Sequence, residues 1–180
     1  MDEVEGAGAA ANKTVTSSFR IDGEVYRILQ RDATAKNVSL NSLVNHVLRR
    51  YSEFGMYLSR FKTIVITLQA FNQMVDAVGD EALARIGSLA GGEIPKAVIS
   101  TLYGQTNLQN SKKFLKLIAA NTANWRYSEV SSAGGTTVVL SHDLGHKGSV
   151  YFSNYFGSMF KIIGLSPGIS QTDDSIILRF

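Results

Sequence analysis

The chain has 180 residues, 44% hydrophobic and 18% charged, with a formal net charge of +3 and no cysteine. That length allows one medium domain or a small module joined to a second domain, and the composition is globular. The lack of cysteine excludes disulfides, iron–sulfur clusters and thiolate metal sites, and no apolar run is long enough to predict a transmembrane helix.

The chain opens on Asp2, Glu3 and Glu5 followed by small residues, not on a basic start with a greasy core, so no secretory signal and a cytoplasmic location are expected. The net charge is too small to argue for nucleic acid, but its distribution is uneven. Lys13 to Arg60 carries eight basic residues against four acidic, whereas Phe61 to Phe180 carries ten against eight. An excess gathered in the shorter N-terminal part suits a DNA-binding module.

Residues 1–12 are rich in Ala and Gly and read as a disordered arm. Thr14 to Ile21 is a short polar and β-branched run and reads as a strand. From Gly23 to Lys36 the spacing of Val25, Ile28, Leu29 and Ala33 predicts a helix, with Asp22 as its N-cap and Asn37 as a left-handed stop. Ser39 then caps a second helix whose apolar stripe is Leu40, Leu43, Val44, Val47, Leu48 and Tyr51. Gly55 ends or bends that helix. A first domain over 13–55, a hinge over 56–61 and a second domain over 62–180 follow from this pattern.

In the second domain Lys62 to Leu68 reads as a strand and Gln69 to Ile86 as a helix stopped by Gly91-Gly92. Pro95 fits the first turn of a helix running to Tyr103. Ser111 to Ala120 is an amphipathic helix with Lys112, Lys113 and Lys116 on a solvated face. Trp125 to Val130 and Thr136 to Ser141 read as strands joined at Gly134-Gly135. Val150 to Ile163 is an aromatic-rich helix, and Ser175 to Phe180 a last strand. The fold class is therefore α+β.

A strand and two helices in about 40 residues are marginal as a lone domain, and a lone strand has both edges unpaired. Dimerisation solves both problems, because two copies pair their strands antiparallel and interlock their helices. The residues Ser18-Phe19-Arg20-Ile21, Glu24-Val25, Ser39-Leu40-Asn41-Ser42 and Val44 resemble the Arc/MetJ ribbon-helix-helix family of DNA-binding regulators. The resemblance implies a β-α-α homodimer on double-stranded DNA, its ribbon in the major groove. If Phe19 and Ile21 face the shared core, period-two alternation turns Thr16, Ser18 and Arg20 outward together. The resemblance makes those three the base-reading residues, chemistry that arginine and hydroxyl side chains can perform. It also sets the start of the second helix, Ser39, Leu40 and Asn41, against the DNA backbone, with Lys13 and Arg27 as further phosphate contacts. Ser17, less apolar than its inward position asks, and Asp22, a carboxylate close to the groove, depart from the pattern.

The order strand, helices, strand, strand, helix, strand fits an elaborated ferredoxin-like βαββαβ domain. Joined to a ribbon, it is similar in architecture to nickel-responsive regulators, whose C-terminal domain binds metal and assembles a tetramer. Ser141 to Ser149 holds His142, Asp143 and His146, which admits three readings: a divalent metal site, a small-ligand or anion site, or a turn shaped by its glycines. The cluster Tyr151, Phe152, Tyr155, Phe156, Met159 and Phe160 has the spacing of a helix face in a core or interface, joined by Trp125 and Tyr127. The chain holds no nucleophile elbow, P-loop or dinucleotide fingerprint, so no enzyme is expected. The second domain is expected to add oligomerisation and effector sensing. An alternative from another class is a dimeric protein- or ligand-binding adaptor, including an antitoxin-like role, in which the ribbon serves dimerisation only.

Overall fold

The structure is a computed structural model in which residues 14–56, 65–122 and 124–180 are described. The chain divides between Leu48 and Arg49 into two units. The arm at 1–12 and Lys13 lie outside the described residues, as does the expected hinge beyond Met56.

In the first unit, helix α1 spans Gly23–Ala35 and helix α2 begins at Leu40 and runs to Arg50. Their boundaries follow the local chemistry read from the sequence. Asp22 accepts hydrogen bonds from the amides of Glu24 (2.8 Å) and Val25 (3.3 Å). Asn37 takes φ 53°, the left-handed conformation that asparagine tolerates at a helix stop. Ser39 Oγ accepts from the Ser42 amide at 3.1 Å. Residues 14–22 carry no helix or strand, so the expected strand has no ladder partner in a single chain. Gly55 does not break α2 outright. The helix widens instead into a π-helical turn over Tyr51–Gly55.

The second unit continues with α3 (Leu68–Asp76), α4 (Asp80–Ala90), α5 (Glu93–Tyr103) and α6 (Leu108–Asn121). A hairpin of β1 (Trp125–Ser132) and β2 (Gly135–His142) follows, then α7 (Gly145–Ile162), β3 (Gly168–Gln171) and β4 (Ser175–Arg179). Ser132 pairs with Gly135, so the hairpin turns on Ala133-Gly134, one residue earlier than expected. The helix expected over 69–86 is two helices, because the chain turns at Val78 and Gly79 caps α4 in extended backbone.

The sheet is antiparallel throughout, in the order β1-β2-β4-β3. This corrects the ferredoxin-like expectation. That fold seats its first strand between the hairpin and the last strand, whereas here β4 bonds directly to β2, Leu140 opposite Ile176 and Val138 opposite Leu178. Of the run expected as the first strand, residues 65–67 carry no strand and Leu68 already begins α3, whose N-cap Thr67 accepts from the Ala70 amide at 3.2 Å. β3, only four residues long, is a strand that the sequence pattern did not reveal. The observed strand order lends no support to the architectural similarity to nickel-responsive regulators.

Period-two alternation builds the core. Val138, Leu140, Ile176 and Leu178 are fully buried on one face of the sheet, where Phe156, Met159 and Phe160 of α7 join them in one cluster with Trp125. Each such side chain withdraws enough apolar surface to contribute roughly 1.5–3 kcal/mol. The expected aromatic core is therefore present, with Tyr127 packed at its edge.

The lysines of α6 are not a plain solvated face. Lys112 and Lys116, one turn apart, both reach Glu129 of β1, at 2.6 and 3.0 Å. The Tyr127 hydroxyl donates to the same carboxylate at 2.7 Å. Lys112, Tyr127 and Lys116 together hold the Glu129 carboxyl down to about 2. A carboxyl lowered on folding stabilises above its unfolded value and loses that contribution as pH falls through its folded value. Stability should therefore decline between pH 4.5 and about 2. Glu129→Gln should be less stable at neutral pH and should flatten this acid limb, read by urea unfolding at stepped pH. Parallel acid limbs for the two proteins would refute the role of this cluster.

Candidate nucleic-acid interface

The first unit leaves its apolar side chains uncovered. Among its described residues only Ala33 and Leu43 are buried hydrophobics, while Val15, Phe19, Ile21, Val25, Ile28, Val47 and Leu48 are exposed. Phe19 is 59% and Ile28 51% accessible, although both occupy positions whose spacing asks for a core. Thr16, Ser18 and Arg20 are exposed too, so in a single chain nothing separates the two faces of this segment.

The open end of α2 is formed as expected. Ser39 Oγ and its carbonyl oxygen take the amides of Ser42 and Leu43, the latter at 3.0 Å. The amides of Leu40 and Asn41 stand in the first turn, where a helix supplies no internal acceptor. Arg27 folds back along α1, its Nε donating to the Gly23 carbonyl at 3.0 Å, and stays exposed. Asp22, a carboxylate close to the expected groove, has an oxygen engaged by the two amides it caps.

The residues of the Ser141–Ser149 segment go three separate ways. His142 is fully buried beside the Trp125 ring, 5.0 Å away. Its Nδ1 accepts from the Leu144 amide at 3.3 Å, so Nε2 carries the proton and donates to Ser149 Oγ at 3.0 Å. Burial lowers its pKa and keeps it neutral. Asp143 pairs with Arg126 at 3.1 Å. His146 lies outside, its Nε2 3.2 Å from Asp80 and its Nδ1 3.2 Å from Asp173. Hydrogen bonds to Asp80 and then Asp173 raise its pKa. Asp80 in turn is lowered by Lys147, 3.1 Å away, and by His146.

His142, Asp143 and His146 thus do not converge on one point, and no group of three or more metal-binding side chains gathers among the described residues. Of the three readings of this segment, the metal site gains no support among the described residues: His142 is buried and ties β2 to α7, while His146 is exposed and ties α7 to Asp80 and Asp173. The His142, Asp143 and Ser149 side chains likewise form no catalytic triad, because a backbone amide occupies the nitrogen an acid would hold. Asp80 and Asp173 lie 66 and 27 residues from His146, so no local motif announced either contact.

No family model, curated protein or solved structure matches the chain. Among the described residues no helix is long and apolar enough to cross a membrane.

Proposed function

We propose that this chain is a homodimeric, sequence-specific DNA-binding transcriptional regulator of the ribbon-helix-helix kind. The observation that carries this reading is the first unit's uncovered apolar surface: helices with correct caps and spacing, preceded by an unpaired alternating segment, with almost no core of their own. A second copy supplies what is missing. Pairing residues 14–21 antiparallel to their counterpart gives the segment two faces. Phe19 and Ile21 then close over the helices, and Thr16, Ser18 and Arg20 stand toward the groove. The α2 start at Ser39, Leu40 and Asn41 offers amide donors to a phosphate, and the local excess of positive charge favours the approach.

Affinity for random DNA should fall steeply as salt rises, because phosphate contacts release counterions. Sites selected from random DNA should then lose about 1–3 kcal/mol on Arg20→Ala, with relaxed selectivity at one base position. Fluorescence anisotropy on the selected site reads this directly, and unchanged affinity would remove Arg20 from base reading. A complete lack of DNA binding at low salt would overturn the regulator and leave a ribbon that serves dimerisation alone.

A further inference from the structure

The second unit contains a cleft of about 640 Å³ between the start of α3, α6, α7 and the β1 end of the sheet. Its volume lies within the range of small-molecule sites. Five aromatic rings line it: Phe71, Trp125, Phe152, Tyr155 and Phe156. Trp125 meets Phe152 edge-on at 4.8 Å, so much of this wall is a packed aromatic surface. No lysine, arginine or histidine lines the cleft among the described residues. Its one charged group, Asp143, already faces Arg126.

Two polar side chains in this wall make no hydrogen bond to a described residue. Tyr155 is partly buried, desolvation raises its pKa, and its hydroxyl makes no hydrogen bond to a described residue. It is therefore a neutral phenol with a proton to donate at the cleft's aromatic wall. The Asn124 side-chain amide also makes no hydrogen bond to a described residue. We propose that this cleft binds a small, uncharged, ring-containing molecule bearing one hydrogen-bond acceptor, which Tyr155 and Asn124 engage. An anion would find no counter-charge there, and a wholly apolar molecule would offer the phenol no acceptor. The site does not depend on DNA binding, and its test reads occupancy alone.

Trp125 is the chain's sole tryptophan and stands in the cleft wall, so it reports occupancy. N-phenyl-1-naphthylamine, a neutral probe, should bind the full-length protein saturably and quench Trp125 by energy transfer. Ala119→Phe places a ring in the cleft from α6 and should abolish that quenching, with folding verified by circular dichroism. Benzophenone and diphenylmethane, which differ by one carbonyl, should both displace the probe, and the carboxylate 2-benzoylbenzoate should not. In Tyr155→Phe the benzophenone affinity should fall about fivefold while that of diphenylmethane holds, the loss expected for one net hydrogen bond. The absence of saturable quenching, or quenching that survives Ala119→Phe, overturns the site. Equal effects of Tyr155→Phe on the two competitors overturn the role of the hydroxyl, and displacement by the carboxylate overturns the uncharged class.

Discussion

Replacing Ile28 by glutamate is expected to strip protection from both helices of the first unit and to abolish DNA binding. Ile28 lies on the α1 face that carries Val25, Leu29 and Ala33, yet half of it is exposed in a single chain. In the proposed dimer it is buried, and its loss removes up to about 3 kcal/mol of apolar burial per copy. Two copies double this to roughly 6 kcal/mol, or about four powers of ten in association. Desolvating the new carboxylates adds to the penalty. Amide hydrogen exchange is the suitable measurement, because it reads α1 and α2 separately from the second unit. Slow exchange over 23–50 should become fast in Ile28→Glu, whereas Thr34→Glu, on the opposite face of α1, should leave it slow. Protection that persists in Ile28→Glu would mean that the first unit needs no second copy.

The second large effect concerns the packing of α4 against α7. Gly87 on α4 and Gly91, its C-cap, are one helical turn apart. A Cβ on Gly87 would lie 2.2 Å from the Tyr151 carbonyl oxygen, and one on Gly91 would lie 2.0 Å from that of Tyr155. Both obstacles are backbone, so a methyl group at either place must push the helices apart. Overpacking of this kind costs typically 1–3 kcal/mol, and a rigid obstacle puts Gly87→Ala near the upper end, about 3 kcal/mol. For a protein of this size the melting temperature should fall by roughly 10 °C. Gly157→Ala, within α7 itself, meets only the Ile169 side chain at 3.6 Å and should be neutral or stabilising, by up to about 1 kcal/mol. Thermal unfolding followed by Trp125 fluorescence compares the three proteins. A Gly87→Ala protein that melts with the wild type would show that the helices can separate freely at this crossing.

These two cases show where the sequence was legible. The caps at Asp22 and Ser39 and the stop at Asn37 were readable because each is settled by a side chain and the few amides next to it. The run Thr136 to Ser141 was readable as a strand for a similar reason, since a short β-branched run after a glycine turn is a local signal. Gly91 was readable only as a stop, because the carbonyl it makes room for lies 64 residues further along the chain. β3 was too short to show a period, and α4 could not be separated from α3 while Val78-Gly79 lay inside one continuous apolar pattern. Lys112 and Lys116 looked like solvent-facing charges until β1 brought Glu129 beside them.

The sequence by itself determined the caps at Asp22 and Ser39, the stop at Asn37 and the hairpin near Gly134, and it raised the expectation that residues 14–54 find apolar cover beyond their own side chains. All of these rest on contacts within a few residues or on a count of surface that cannot be buried locally. Tertiary structure alone decided that β4 bonds directly to β2, that His142 and His146 part company, and that five rings, one of them the Tyr155 phenol, line one cleft. Those outcomes join side chains distant in sequence, and only the packing of helices on the sheet selects which of them meet.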